Sequence, residues 1–447
     1  MSSRMLGKED FNPAPLGEPL CFEFSGQTAK NRFLKAAMTE QLSTWNPTEL
    51  EKRGIPTPEL INLYKRWGEG GFGMVLTGNT MIEYDNLESA GNLIIPRDAT
   101  FTGERFEAFS ALAEAAKKHG SLAVVQLSHP GRQVTEDIQK HPISASDVTL
   151  DMDFGGKRFA KPRAMEKKDL ERVIEGFVSA SEYASKAGWD GVQLHGAHGY
   201  LLAQFLSPST NKRTDEYGGS LANRSRLIVE IADAVRARVP KDFIVGIKIN
   251  SVEFEEGGFS TEDCVTLCSE FEKHGIDFVE LSGGTYQELG FSHRRESTRR
   301  REAFFLEFAE KIVPELQKTK AYVTGGLRTG PAMVNALQTV HGIGLARPAT
   351  HEFDLPQKIL DGRAKSAISL LLSDDDFGIT SVAAGMQMRL VSKDREPVNL
   401  SRGDHKHAFE VSVGKWWQSM SDNTDNSKFG GVDLLGIELQ PYGAPYA

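Results

Sequence analysis

His195, His198 and Tyr200 stand within six residues of one another, where the apolar run Gly191–Leu194 ends. Imidazoles three positions apart can aim N–H groups at one ligand oxygen. A neutral phenol, with a reference pKa near ~10, can give a proton beside them. Together they make an oxyanion site with an adjacent general acid. The same residues allow two other readings, satisfied structural histidines at a strand end or an HxxH pair on a metal ion. Neither of these accounts for the tyrosine.

Other polar residues interrupt apolar runs in the same way. Gln126 lies near the end of Leu122–Leu127, which suits an amide bonded to a polar ring or one satisfied inside the protein. Lys248 lies within Phe243–Ile249 and requires a buried partner, because charges are almost never buried unpaired. Gly325 and Gly326 follow Ala321–Val323, while Ala346 and Arg347 end the run that starts at Gly342. Glycines let a backbone approach a ligand closely and Arg offers a charge-assisted fork, so these two stretches suit a phosphate. His129 and Arg132, just past Gln126, are expected to be exposed in a loop.

Chemistry assembled from such distant positions needs a scaffold that gathers strand ends. Short apolar runs at Phe33–Met38, Gly73–Leu76, Leu122–Leu127, Gly191–Leu194, Phe243–Ile249, Phe278–Leu281, Ala321–Val323 and Gly342–Ala346 supply them. Amphipathic stretches near 58–69, 104–118, 169–187, 221–238, 261–273, 302–317, 330–337 and 355–361 alternate with the runs. Eight strand–helix pairs predict an α/β fold, a closed (β/α)8 TIM barrel whose chemistry lies at the C-terminal mouth. Two long loops, 79–102 and 128–166, would sit at that mouth, and Gly155–Gly156 suggests a hairpin turn in the second. Residues 1–30 read as a lead-in, 31–362 as the barrel, and 363–447 as a C-terminal extension packed on it or partly mobile. The extension shows one helix-like stretch, Lys365–Leu372, then polar segments with Trp416–Trp417.

Composition excludes several classes. The formal net charge of −9 argues against nucleic acid. Arg294–Arg295 and Arg299–Arg301 read as a local anion contact or a solvated face. The cysteines, Cys21, Cys264 and Cys268, are too few for a disulfide framework or an iron–sulfur cluster. Cys264 and Cys268, four apart, read as core. No apolar stretch approaches the ~20 residues of a membrane span, and the first residues show no signal-peptide run. The expected setting is cytoplasmic, without membrane or nucleic-acid partners, and with a homodimer left open.

The segment from His195 to Arg226, HGAHGYLLAQFLSPSTNKRTDEYGGSLANRSR, resembles the long signature of the Old Yellow Enzyme family. The likeness extends in order over 31 to about 362, and Thr39-Glu40-Gln41 and Gly78-Asn79 resemble its fungal branch. The resemblance implies an FMN-dependent oxidoreductase that takes hydride from NADPH, or less readily NADH. Its substrates would be activated C=C bonds of α,β-unsaturated carbonyl or nitro compounds, reduced by hydride from flavin N5 and protonated by Tyr200. It implies that His195 and His198 hold the substrate oxygen, with His195 also near the flavin pyrimidine. Ala37, Met38, Thr39 and Gly78 would line the ring, and the Thr39 hydroxyl would bond flavin O4. Gln126 and Lys248 would meet the pyrimidine edge, and Gly325, Gly326, Ala346 and Arg347 the phosphate. Alternatives are an FMN-dependent isomerase or cyclase without net reduction, and a metal-dependent TIM-barrel hydrolase.

Overall fold

The computed structural model describes residues 4 and 10–446, except 153–156, 254–256, 285–304, 375 and 424. The expected hairpin turn at Gly155–Gly156 and the arginine run 294–301 therefore lie outside the described residues.

Eight parallel strands close into a barrel. They are β1 (Phe33–Lys35), β2 (Met74–Leu76), β3 (Leu122–Ser128), β4 (Gly191–Gly196), β5 (Ile244–Asn250), β6 (Phe278–Ser282), β7 (Lys320–Thr324) and β8 (Gly342–Leu345). Each pairs with the next, and β8 pairs back to β1, so no barrel edge is left open. Helices α1 (Pro58–Glu69), α2 (Glu104–Lys117), α3 (Lys167–Lys186), α4 (Leu221–Arg238), α5 (Thr261–Lys273), α6 (Leu306–Ile312), α7 (Gly330–Ala336) and α8 (Leu355–Leu360) form the outer ring. α1 shows why these stretches are helical: Thr57 caps Leu60 N–H at 3.2 Å and Pro58 supplies the first turn. Its buried face, Leu60, Leu63, Tyr64 and Trp67, returns every three or four residues.

Residues two apart on a strand share a face, and the inward face changes character along the barrel axis. At the N-terminal end it is apolar. Leu34, Met74, Leu122, Val124, Ile244, Phe278 and Tyr322 pack together there, beneath a hairpin of Leu20–Cys21 and Thr28–Ala29 that inserts Phe22. Toward the C-terminal end the same faces carry Gln126, Gln193, Lys248, Glu280 and Thr324. That polarity gradient points the chemistry toward the mouth.

Two expected elements differ. β1 ends at Lys35; Ala36 N–H still bonds Leu345 O at 2.9 Å, and residues 37–39 beyond it are half-exposed rather than strand. Lys365–Leu372 is extended rather than helical. Its backbone is zipped to the loop after β7, Gly330 N–H to Lys365 O at 2.8 Å and Ala367 N–H to Arg328 O at 2.8 Å, and Ile368 bridges to Arg4. The helices of the extension are α9 (Phe377–Ser392) and α10 (Gly403–Ser421), which share a cluster of Met386, Leu390, Phe409 and Val413. α9 packs on α1, where Asn62 Nδ2 reaches Ser392 O at 3.1 Å. The tail then crosses the mouth rim: Trp45 Nε1 donates to Asn426 O at 2.7 Å and Asn426 Nδ2 to Asp137 O at 3.2 Å. Phe429 rests beside Trp45 and Gly91.

Candidate active site

A row of buried polar side chains spans the upper barrel. Gln126 Nε2 donates to Gln193 Oε1 at 2.7 Å, and Gln193 Nε2 donates to Glu280 Oε2 at 2.8 Å. Glu280 Oε1 accepts from Lys248 Nζ at 2.9 Å and from Thr324 Oγ1 at 2.7 Å. Strand register sets this up, because Gln126 faces Gln193 across β3–β4 and Lys248 faces both His195 and Glu280. Glu280 is thus the buried partner that Lys248 requires, and both side chains are almost wholly enclosed.

One layer higher lie the histidines. His195 Nε2 is 3.4 Å from His198 Nδ1, within reach of one hydrogen bond whose direction follows the tautomers. Their outer nitrogens meet hydroxyls, His195 Nδ1 with Ser128 Oγ at 3.2 Å and His198 Nε2 with Ser282 Oγ at 2.8 Å. The Tyr200 ring lies 4.5 Å from that of His195, at the start of the short helix Leu201–Leu206. His198 adopts a left-handed backbone, φ +58°, fixed by its N–H on Asn250 Oδ1 at 3.1 Å. Burial, with Lys248 nearby, pushes His198 down to about 3, and burial drives His195 well below the ordinary imidazole range. Both rings are neutral at pH 7.

Ala37, Met38 and Thr39 are half-exposed between buried Ala36 and Glu40. The Thr39 hydroxyl lies 3.0 Å from Asn79 Oδ1 and 3.1 Å from Glu88 Oε2, so it already has acceptors in the loop after β2. Gly78 N–H donates to Glu40 Oε1 at 2.8 Å, and a side chain at Gly78 would strike the Glu40 carboxylate and the Met38 carbonyl. That close approach explains the glycine.

At the ends of β7 and β8, Gly325, Gly326, Ala346 and Arg347 are likewise half-exposed. Gly325 and Gly326 have φ +132° and +88°, a conformation that favours glycine and turns consecutive backbone groups toward one side. The donor set fits FMN. An ammonium, an amide and imidazoles can meet the acceptor-rich ring edge, and an arginine beside two glycines can meet a phosphate. The half-open stretches after β1, β7 and β8 are adjacent, because β8 lies between β7 and β1. Among the described residues no group of three His, Cys, Asp or Glu is gathered to hold a metal ion. Nor is any helix long and apolar enough to cross a membrane.

His129 and Arg132 are buried, contrary to the loop exposure expected from sequence. His129 Nε2 meets Glu83 Oε2 at 3.2 Å, and Arg132 donates to Val148 O at 3.2 Å, so both pin mouth loops. Cys264 and Cys268 are core residues of α5, with their sulfurs 3.8 Å apart. Gln193, Glu280, Ser128 and Ser282 escaped the sequence reading. Gln193 and Glu280 carry the same signal as Lys248, a polar residue within an apolar strand. The long 195–226 segment is largely scaffolding around Tyr200. Asn211 Nδ2 holds Phe205 O at 2.7 Å and Tyr217 O at 2.8 Å, and Arg224 holds Leu206 O at 2.7 Å.

Residues 15–366 match the model of the NADH:flavin oxidoreductase / NADH oxidase family. The NADH-dependent flavin oxidoreductase nadA of Aspergillus parasiticus is 48% identical over 407 residues, 91% of this chain and 92% of that protein. The NADPH dehydrogenase of Halalkalibacterium halodurans is 33% identical over 259 residues, 58% of this chain and 70% of that one. Among solved structures, the Old Yellow Enzyme homologue of Zymomonas mobilis superimposes with a TM-score of 0.65 at 23% identity. It covers 79% of this chain and 94% of that chain, a likeness of fold. The chain therefore belongs to the NADH:flavin oxidoreductase / NADH oxidase family, in its fungal, Old Yellow Enzyme-type branch, with FMN as cofactor and NAD(P)H as reductant.

Proposed function

We propose that this oxidoreductase reduces activated C=C bonds, in α,β-unsaturated carbonyl or nitro compounds, with Tyr200 as the proton donor. The carrying observation is the pair of neutral imidazoles whose outer nitrogens are met by serine hydroxyls, with a phenol 4.5 Å from one of the rings. If Ser128 donates to His195 Nδ1 and Ser282 to His198 Nε2, both facing nitrogens carry hydrogen. An oxygen placed between them then receives two N–H bonds, whereas without it only one facing nitrogen can donate to the other. Donors fixed in this way favour an oxygen that gains negative charge, and losing one typically costs ~10²–10³ in rate. The chemistry FMN supplies when bound is hydride acceptance from a reduced nicotinamide and hydride donation to carbon. Tyr200 then places a proton on the neighbouring carbon, and Ser128 and Ser282 act as positioning residues. Lys248, Gln126 and His195 serve the pyrimidine edge, Ala37, Met38, Thr39 and Gly78 the ring, and Gly325, Gly326, Ala346 and Arg347 the phosphate.

The sequence reading puts NADPH first, while the names of several relatives point to NADH, so both belong in the test. The purified protein should be bleached anaerobically by either nucleotide and then reoxidised by 2-cyclohexenone. Tyr200→Phe should leave bleaching within about twofold and slow reoxidation by ~10²–10⁴, the usual worth of a general acid. Equal slowing of both steps removes Tyr200 from the role. Reoxidation by no enone or nitroalkene removes the substrate class.

A further inference from the structure

A second polar pocket lies where the C-terminal segment crosses the ends of β7 and β8. It is a cavity of about 40 Å³ lined by Arg328, Arg347, His351, Asp374 and Thr380, together with residues 367–370 and Leu372. A water needs ~10–15 Å³ of such space, so the cavity has room for a group larger than a single water.

Its chemistry is fixed by His351. Gln387 Oε1 accepts the Val398 N–H at 2.9 Å, and Gln387 Nε2 donates to Val398 O at 2.6 Å, so the amide has a single orientation. Gln387 Nε2 also donates to His351 Nδ1 at 3.1 Å. Nδ1 is therefore the acceptor nitrogen, and the neutral ring carries its hydrogen on Nε2. That Nε2 is buried and has no partner among the described residues. Leaving a buried donor unmet is costly, about 1–3 kcal/mol. Around it stand two guanidinium groups and a hydroxyl. Arg347 Nη1 donates to Thr380 Oγ1, which itself donates to Asp376 O at 2.7 Å, and Arg328 lies 3.7 Å from Asp374. With His351 neutral, the lining charge is positive, two arginines against one aspartate.

We infer that Arg328 and His351 are further anion-binding groups that extend the phosphate seat of Arg347, and that Thr380 of the C-terminal segment positions the Arg347 guanidinium for it. The occupant is a phosphate monoester, that of the flavin; the inference rests on Arg347 and the glycine loop serving that phosphate. Charge-assisted bonds from the arginines and the N–H of His351 suit its oxygens, while the Thr380 hydroxyl, whose hydrogen goes to Asp376 O at 2.7 Å, steadies Arg347. Asp374 opposes the occupant, and Arg328 turns from it toward the phosphate.

The test compares FMN with riboflavin, which lacks the phosphate, by fluorescence titration of the full-length apoprotein. His351→Leu and Arg328→Gln should each weaken FMN by about 10- to 100-fold, as expected for hydrogen bonds to a charged group, and leave riboflavin within twofold. Thr380→Val, which removes the hydroxyl that holds Arg347, should shift the same ratio in the same direction by less. Asp374→Asn, at a half-exposed site, should raise the FMN preference. Equal loss of both flavins, or no change in the ratio, overturns the inference. So does unchanged flavin binding with weakened NADH or NADPH, which would assign the pocket to the dinucleotide. If wild type does not prefer FMN, or Arg347→Gln leaves the ratio intact, the earlier placement of the phosphate fails as well.

Discussion

Glu280→Gln isolates the energetics of the barrel floor. The Glu280 carboxylate takes Lys248 and Thr324 on one oxygen and Gln193 on the other, and it is wholly buried. An amide can keep only some of these bonds. If its oxygen faces Lys248, its NH₂ meets the Gln193 NH₂. Turning Gln193 over relieves that clash only by pushing it on to Gln126. Amide rotations can absorb much of this strain, but nothing replaces the lost negative charge. Lys248 becomes a buried cation without its counter-ion, and breaking one side of a buried pair costs about 3–5 kcal/mol. Urea unfolding, followed by far-UV circular dichroism, should show a loss of that size. Lys248→Met added to Glu280→Gln should recover about 1–3 kcal/mol, the range seen for residues in one network. A single-variant loss below about 1 kcal/mol, or strict additivity of the two changes, would refute the description of Lys248–Glu280 as a dry pair.

Two further outcomes follow from the geometry. At His198, whose backbone is left-handed, His198→Asn should keep turnover within about tenfold, because Asn tolerates αL and still donates. His198→Ala should lose ~10²–10³; equal loss in both would show that the imidazole itself is required. Lys35, sealed against Trp67 and Tyr64, is pushed down to about 7 by burial. The unfolded chain, with a lysine near 10.5, binds more protons between pH 7 and 10, so stability should rise with pH across that window. The gain is of order 4 kcal/mol at most. Lys35→Met should flatten the rise, and an unchanged slope in urea unfolding at pH 7 and 9.5 would exclude Lys35 as its source.

The barrel was readable because each strand is a short apolar run between amphipathic helices, a pattern set by burial alone. Lys248 and His195 were readable for the converse reason, since a polar group within such a run needs a partner or a task. The partners themselves were not, because Glu280, Ser128 and Ser282 meet their histidine or lysine only through inter-strand register. Lys365–Leu372 misled because an apolar face on that stretch also suits an extended segment, and what decides is hydrogen bonding to residues 328–330, distant in sequence. From sequence His129 and Arg132 suit an exposed loop, because loops usually are exposed. Here the loop folds back and buries both under Glu83, Val148 and Thr149.

The crossing of the tail over Trp45, Gly91 and Asp137 bears on how the protein could be re-engineered. Rim segments from three successive βα units lean on one strip of chain near Asn426–Phe429, so grafting any of them from a relative would leave a mismatched seam. The alignment with the A. parasiticus relative is wider than the 15–366 span of the family match. Chimeras should therefore exchange rim and tail as one cassette.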